Sequence, residues 1–170
     1  MGRYSVKHLT LWALLAALAL GLSTLDGILP LSALLPLPGV KLGLANIVTL
    51  FALYVSGAPA ALAILTVRCV LGAVFAGNAS ALLFSLLGGF CAMGAMILAR
   101  RSGGLSVFGV SLCGAAAHNA GQIAAAMIVL GDTAVVGYLP FLLLLSLVTG
   151  SLTGLIVSRL LRAAVYLPLS

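Results

Sequence analysis

The residues that could do chemistry in this sequence stand inside long apolar runs. Arg68 lies near the middle of one such run. An arginine at the centre of a membrane helix costs roughly 2.5–3.5 kcal/mol on insertion scales, so some interaction must offset that cost. No acidic residue occupies the centre of an apolar run. Two interpretations remain open: Arg68 binds an anionic ligand, or backbone and side-chain groups of the protein satisfy its hydrogen bonds.

A second polar group is concentrated on one predicted helix, where His118, Asn119 and Gln122 fall within five residues. His118 and Gln122 share a helix face because residues four apart are neighbours, and Gly114 leaves room one turn earlier. The group is either a ligand-binding face or a set of structural hydrogen bonds. We expect no metal here, since a single histidine without a nearby carboxylate or cysteine pair makes a poor ligand set.

Other polar candidates begin or end the predicted helices. Lys41 either contributes charge to a site or extends to the membrane interface, and Asn78 is either a ligand contact or a turn residue. The predicted topology places all the polar candidates between mid-membrane and the outer surface. They predict a positively charged cavity open to the outside, with the apolar loop 30–39 as its cover. The predicted binding residues are Lys41, Asn46, Arg68, Asn78, His118, Asn119 and Gln122.

Several kinds of catalysis lack their residues in this sequence. There is no GxxxxGK[ST] loop to hold ATP phosphates. Asp26 and Asp132 are the two acids of the chain and lie far apart, so no carboxylate pair is available for magnesium. The three cysteines form no CxxC pair and are typical of helix packing. We predict binding or transport without a cofactor, and no enzymatic activity of the chain alone.

Composition predicts the environment of these residues. Of 170 residues, 64% are hydrophobic and 6% are charged, with a mean hydropathy of +1.34. Soluble domains carry about 25% charged residues. We therefore predict an all-α integral membrane protein in contact with lipid, formed by residues 1–170 as one transmembrane domain. The net charge of +6 is typical of basic residues that flank membrane spans and does not indicate nucleic-acid binding.

About six transmembrane helices fit the apolar runs, because a span needs about 20 residues. Three prolines exclude a regular helix from the loop 30–39, and Pro59 suits a first helical position. The basic residues accumulate on alternate loops, which predicts that both termini are cytoplasmic. The predicted spans are residues 9–29, 40–56, 59–76, 79–99, 105–130 and 135–161.

Small residues recur every fourth position on two of these helices. Ser146, Gly150, Gly154 and Ser158 form one stripe, and Ala13, Ala17 and Gly21 form another. Such stripes let helix backbones approach closely in a membrane. Each stripe either packs within the bundle or docks another membrane protein.

Several short motifs resemble a known family. They are the segment PGVKLGLAN from Pro38 to Asn46, Arg68 with Gly72, Gly77-Asn78, and HNAGQ from His118 to Gln122. They resemble the Gx transporter family, also called heptaprenyl diphosphate synthase component I, over about residues 9–162. That family is in turn similar to S components of energy-coupling factor transporters, which are small six-helix membrane proteins.

The resemblance implies an S-component-like bundle in the bacterial cytoplasmic membrane. Such a subunit captures a small, here anionic, solute from outside and depends on a transmembrane coupling subunit and ATPase subunits. The AxxxA pattern of S components implies that Ala13, Ala17 and Gly21 dock the coupling subunit. A second hypothesis is a non-catalytic component I of heptaprenyl diphosphate synthase, since the aspartate-rich motifs of prenyl synthases are missing. A third is an assembly partner in a membrane redox complex.

Overall fold

The protein is a bundle of apolar helices, in agreement with the predicted all-α membrane fold. The computed structural model describes residues 6–28 and 43–164, which contain no strand. Five of the helical segments are long and apolar enough to cross a membrane. The helices are α1 Val6–Ile28, α2 Asn46–Val55, α3 Gly57–Ala76, α4 Ala79–Arg101, α5 Val107–Leu130 and α6 Leu139–Ala164, with a 3-10 helix, Thr133–Tyr138, before α6.

The second helix is shorter than predicted. The predicted start at residue 40 is wrong, because α2 begins at Asn46 and Gly43 has a left-handed φ of 83°. At ten residues, α2 is about 15 Å long, half of a bilayer core of about 30 Å. The N–H groups of Gly43 and Leu44 instead donate to the carboxylate of Asp26, near the end of α1. The backbone before Asn46 is therefore held by a long-range contact and is not helical. Residues 29–42, which include Lys41 and the proposed covering loop, lie outside the described residues.

The last span is also divided. A helix was predicted from residue 135, but a 3-10 helix comes first and α6 begins at Leu139. Asp132 caps the 3-10 segment by accepting a hydrogen bond from the N–H of Ala134 at 2.8 Å. Pro140 stands in the first turn of α6, where the missing N–H costs nothing. The other predicted boundaries lie within about three residues of the observed ones.

Close helix contacts in the bundle depend on glycine. A Cβ atom added to Gly121 of α5 would lie 2.5 Å from the carbonyl oxygen of Leu87 on α4. On the other side of α5, a Cβ at Gly150 of α6 would lie 3.0 Å from that of Ala115. The small-residue stripe of α6 therefore packs inside the bundle, where it allows close backbone approach.

The stripe on α1 has a different position. Ala13, Ala17 and Gly21 are all exposed on the surface of the chain. A Cβ atom added to Gly21 would meet nothing within 4 Å. Within the described bundle, this stripe is not used for close packing.

Basic residues collect at one end of the bundle, called the basic end below. The start of α1 and the ends of α4 and α6 contribute Lys7, Arg100, Arg101, Arg159 and Arg162. Arg100 donates to the backbone oxygen of Leu53, and its guanidinium lies 4.6 Å from the ring centre of Tyr54. A cation at that place stabilises the carboxyl end of α2 through its dipole.

We predict that the basic end faces the cytoplasm. Ser102→Cys, in a cysteine-free background, should escape an impermeant maleimide applied to intact cells. Thr133→Cys at the opposite end is the matched control and should react. Labelling of Ser102→Cys from outside would reverse the orientation of the bundle.

Candidate functional site

Four of the buried polar side chains, those that lie against Gly43, Gly88 and Gly89, are at nearly one depth in the middle of the bundle. At about 1.5 Å per residue, Arg68 on α3 and His118 on α5 each lie roughly 16 Å from the basic end. Asn46 begins α2 at nearly the same level, and Gln122 follows His118 by one turn. All four are at most 8% exposed. These residues, Asn46, Arg68, His118 and Gln122, are called the polar layer below.

Arg68 is the most unusual member of the polar layer. It is 4% exposed, and its Nε and Nη2 atoms have no hydrogen-bond partner in the described part of the chain. The described backbone and side-chain groups therefore do not satisfy these two nitrogens. A desolvated guanidinium is stable only when charge and hydrogen bonds compensate it, which makes Arg68 the strongest indication of a binding site.

Two adjacent glycines on α4 make room for the polar layer. A Cβ atom at Gly89 would lie 3.4 Å from Nη2 of Arg68 and 2.7 Å from Leu65. A Cβ atom at Gly88 would lie 2.9 Å from Cε1 of His118 and 3.1 Å from Cγ of Gln122. Side chains from α3 and α5 thus reach the same stretch of α4, because that stretch has none of its own.

The imidazole of His118 also borders the turn before α2. A Cβ atom at Gly43 would lie 3.3 Å from Cδ2 of His118 and 2.9 Å from Nδ2 of Asn46. The His118 ring therefore lies between this turn and α4. Position 43 requires glycine for two reasons: its φ is positive, and a Cβ atom there would lie too close to Asn46 and His118.

Two of the predicted site residues, Asn119 and Asn78, lie outside the polar layer. The amide nitrogen of Asn119 donates to the backbone oxygen of Leu142 at 2.6 Å and so links α5 to α6. Asn78 is exposed and caps α4 by accepting from the N–H of Ser80 at 2.8 Å. Lys41 lies outside the described residues. Asn78 thus has the contact of a turn residue, one of the two interpretations given for it, whereas the contact of Asn119 with Leu142 was not predicted.

Sequence reasoning missed the glycine pair and the role of Asp26. Asp26 is 3% exposed, and its Oδ2 accepts from the N–H groups of Gly43 at 2.7 Å and Leu44 at 2.9 Å. In the sequence Asp26 only marks the end of a span, since its partners come 17 and 18 residues later. A Gly-Gly pair within an apolar helix was the one available signal for α4.

The polar layer is suited to recognition. Its members offer one guanidinium, one imidazole and two amides, which are donors for an anionic or carbonyl oxygen. Among the described residues, no three His, Cys, Asp or Glu side chains come together to hold a metal. Cys69, next to Arg68, donates to the backbone oxygen of Ser85 at 3.4 Å.

Comparison with known proteins gives one match. A family described as heptaprenyl diphosphate synthase component I matches residues 15–160, which include the whole polar layer. Searches of curated proteins and of solved structures gave no match.

We predict that a methyl group at position 88 disturbs the polar layer. Gly88→Ala should cost about 1–3 kcal/mol of stability by overpacking against His118 and Gln122. Gly94→Ala on the same helix is the control: its Cβ would meet nothing within 4 Å, and alanine favours a helix over glycine by about 1 kcal/mol. Denaturant unfolding in detergent measures both. Equal stability losses would contradict the packing assigned to Gly88.

Proposed function

The chain belongs to the heptaprenyl diphosphate synthase component I family, and we propose that it is a non-catalytic membrane subunit that binds an anionic ligand at Arg68 and acts through partner subunits. The observation that carries this proposal is the buried guanidinium of Arg68, whose Nε and Nη2 lack hydrogen-bond partners among the described residues. An anionic oxygen would satisfy both nitrogens and offset the buried charge.

The remaining polar layer supports such a ligand. Arg68 presents a planar fork of donors, which matches a carboxylate or phosphate in two parallel hydrogen bonds. Asn46, His118 and Gln122 supply further donors from α2 and α5 at the same depth. In an apolar environment these contacts are worth more than in water, and an anion without them would not enter.

One arrangement of partners follows from the family description. The name component I implies at least one further component. In this arrangement a separate catalytic subunit makes the prenyl diphosphate, and this chain holds a diphosphate group at Arg68 while the prenyl chain lies in lipid. In this arrangement the partner carries out the magnesium-dependent step, in keeping with a sequence that has no aspartate-rich motif.

A second arrangement is solute capture for a transporter. It is favoured by the exposed stripe Ala13, Ala17 and Gly21, which the bundle does not use for its own packing. A transmembrane coupling subunit would dock there, and ATPase subunits would supply the energy. The polar layer would then take a small anionic solute from the outer side.

Reconstitution separates the two arrangements. The full chain is combined in liposomes either with a catalytic prenyl synthase subunit or with a coupling subunit and ATPases. A gain in prenyl diphosphate synthesis supports the first arrangement, and ATP-dependent solute accumulation supports the second. Accumulation by the chain alone under a proton or sodium gradient would overturn both, because the chain would then be a self-sufficient carrier.

We predict that Arg68→Ala weakens binding of the co-purifying anionic compound, identified by mass spectrometry. The expected loss is about 1.5–3 kcal/mol, the range for hydrogen bonds to a charged group. The variant should remain folded, because the substitution removes a guanidinium that is costly inside an apolar bundle and two of whose nitrogens have no partner among the described residues. Arg101→Ala, at the exposed basic end, is the control and should bind normally. Unchanged binding by Arg68→Ala together with a collapse in thermal stability would make Arg68 a structural residue.

We also predict that Ala13→Leu and Ala17→Leu separate partner docking from binding. A bulky side chain on this face prevents close backbone approach, so co-purification of the coupling or catalytic subunit should fail. Ligand binding should persist, since the stripe is exposed on the surface of the bundle whereas the polar layer is buried inside it. Ala120→Leu, exposed on α5, controls for a larger side chain facing lipid. Normal partner recovery with both α1 variants would place the docking face elsewhere.

A further inference from the structure

A cavity of about 460 Å³ opens at the basic end of the bundle, between the start of α5 and the end of α6. Along α5 it lies roughly 16 Å from His118, so it is separate from the polar layer. Its lining combines an arginine and two serines with three apolar side chains: Ser106, Val107, Phe108, Ser158, Leu161 and Arg162.

Small residues of α6 shape this cavity. Gly154 lets α6 come close to the start of α5, since a Cβ atom there would lie 3.0 Å from Cα of Phe108. Ser158 follows one turn later, and its hydroxyl donates back to the backbone oxygen of Gly154 at 2.5 Å. The short side chain of Ser158 is thus held against its own helix and leaves the space between the two helix ends open.

The polar groups of the cavity can donate hydrogen bonds to an anion. The hydroxyl of Ser106 accepts from the N–H of Gly109 at 3.3 Å, so its own proton is available to a ligand. Arg162 is exposed and adds a planar fork of N–H donors. Both acids of the chain, Asp26 and Asp132, lie at the opposite end of the bundle, so neither can neutralise Arg162.

The apolar walls of the cavity continue into surface that would face lipid. Phe108 is 41% exposed, and Leu155 and Leu160 on the same stretch of α6 are also exposed. In a membrane, the ends of the spans lie near the lipid phosphates, and the apolar surface beside them meets the acyl chains. A ligand with a negatively charged head and apolar chains is complementary to both parts of the cavity.

We propose that this cavity binds the phosphate group of an anionic phospholipid from the leaflet at the basic end. Arg162 and Ser106 donate to the phosphate, while Phe108 and Leu161 contact the glycerol group and the first part of the acyl chains. Basic pockets between transmembrane helices bind lipid headgroups in this way. A soluble phosphate would gain nothing from the apolar walls.

Native mass spectrometry of the full chain in detergent micelles measures the lipid that stays bound. The probes are dioleoyl phosphatidylglycerol and dioleoyl phosphatidylcholine, which have the same acyl chains but differ in net headgroup charge. The wild-type protein should bind its first molecule of phosphatidylglycerol about fivefold more tightly, the factor for one basic residue near an anionic lipid surface. Equal affinities would overturn the proposal.

Arg162→Gln should abolish this preference for phosphatidylglycerol. Arg159→Gln is the matched control, because Arg159 is exposed on the same helix but does not line the cavity. The control should keep most of the preference. Equal losses in the two variants would assign the preference to the overall charge of the basic end and overturn the site.

Ser158→Leu tests the cavity without changing any charge. The larger side chain would fill the space between the helix ends, so the preference should fall to that of Arg162→Gln. Thermal unfolding of the variant shows that it is folded. A folded Ser158→Leu protein that keeps the full preference would contradict binding in the cavity.

A soluble competitor separates a lipid from a free phosphate. Glycerol phosphate, added in excess as its ammonium salt at constant ionic strength, has the phosphate group but no acyl chains. It should leave phosphatidylglycerol bound. Displacement of the lipid would show a site for soluble phosphates and overturn the choice of a phospholipid.

Discussion

The burial of one guanidinium in an apolar bundle is the constraint on which the candidate site depends. Arg68 is 4% exposed at the middle of α3, and two of its nitrogens have no partner in the described residues. Lipid cannot solvate such a group, so protein groups must surround it. The surrounding structure follows from this requirement, since Gly89 leaves space beside the guanidinium.

At three positions around this charge, a glycine leaves space that polar side chains fill. Gly43 bends the chain before α2, while Gly88 and Gly89 let His118 and Arg68 lie against the backbone of α4. A larger residue at any of these positions would occupy the volume of a polar side chain. Such sites are costly to alter, because interiors have few voids and neighbours cannot move independently.

The two small-residue stripes show what a pattern leaves open. Both have the spacing that permits close helix approach, and both were consistent with internal packing or with docking. In the folded chain, Gly150 and Gly154 on α6 lie against α5, whereas Ala13, Ala17 and Gly21 on α1 face outward. The spacing predicts which face of a helix can approach another helix, but it carries no information about which helix arrives there.

The sequence by itself determined that lipid surrounds most of the chain, that the fold is helical, and where most helices begin and end. Hydropathy and the turn residues Gly77 and Gly131 act locally along the chain, so they can be read without the tertiary structure. It also predicted Arg68, His118 and Gln122 as candidate binding residues, since polar groups inside apolar runs are costly wherever the helices lie. Only the tertiary structure decided that Asn119 bonds to Leu142, that α2 begins at Asn46, and that Asp26 is enclosed beside the polar layer. Each of these depends on a partner at least 17 residues away in the chain, and the choice of such a partner is made by the packing of helices rather than by local sequence.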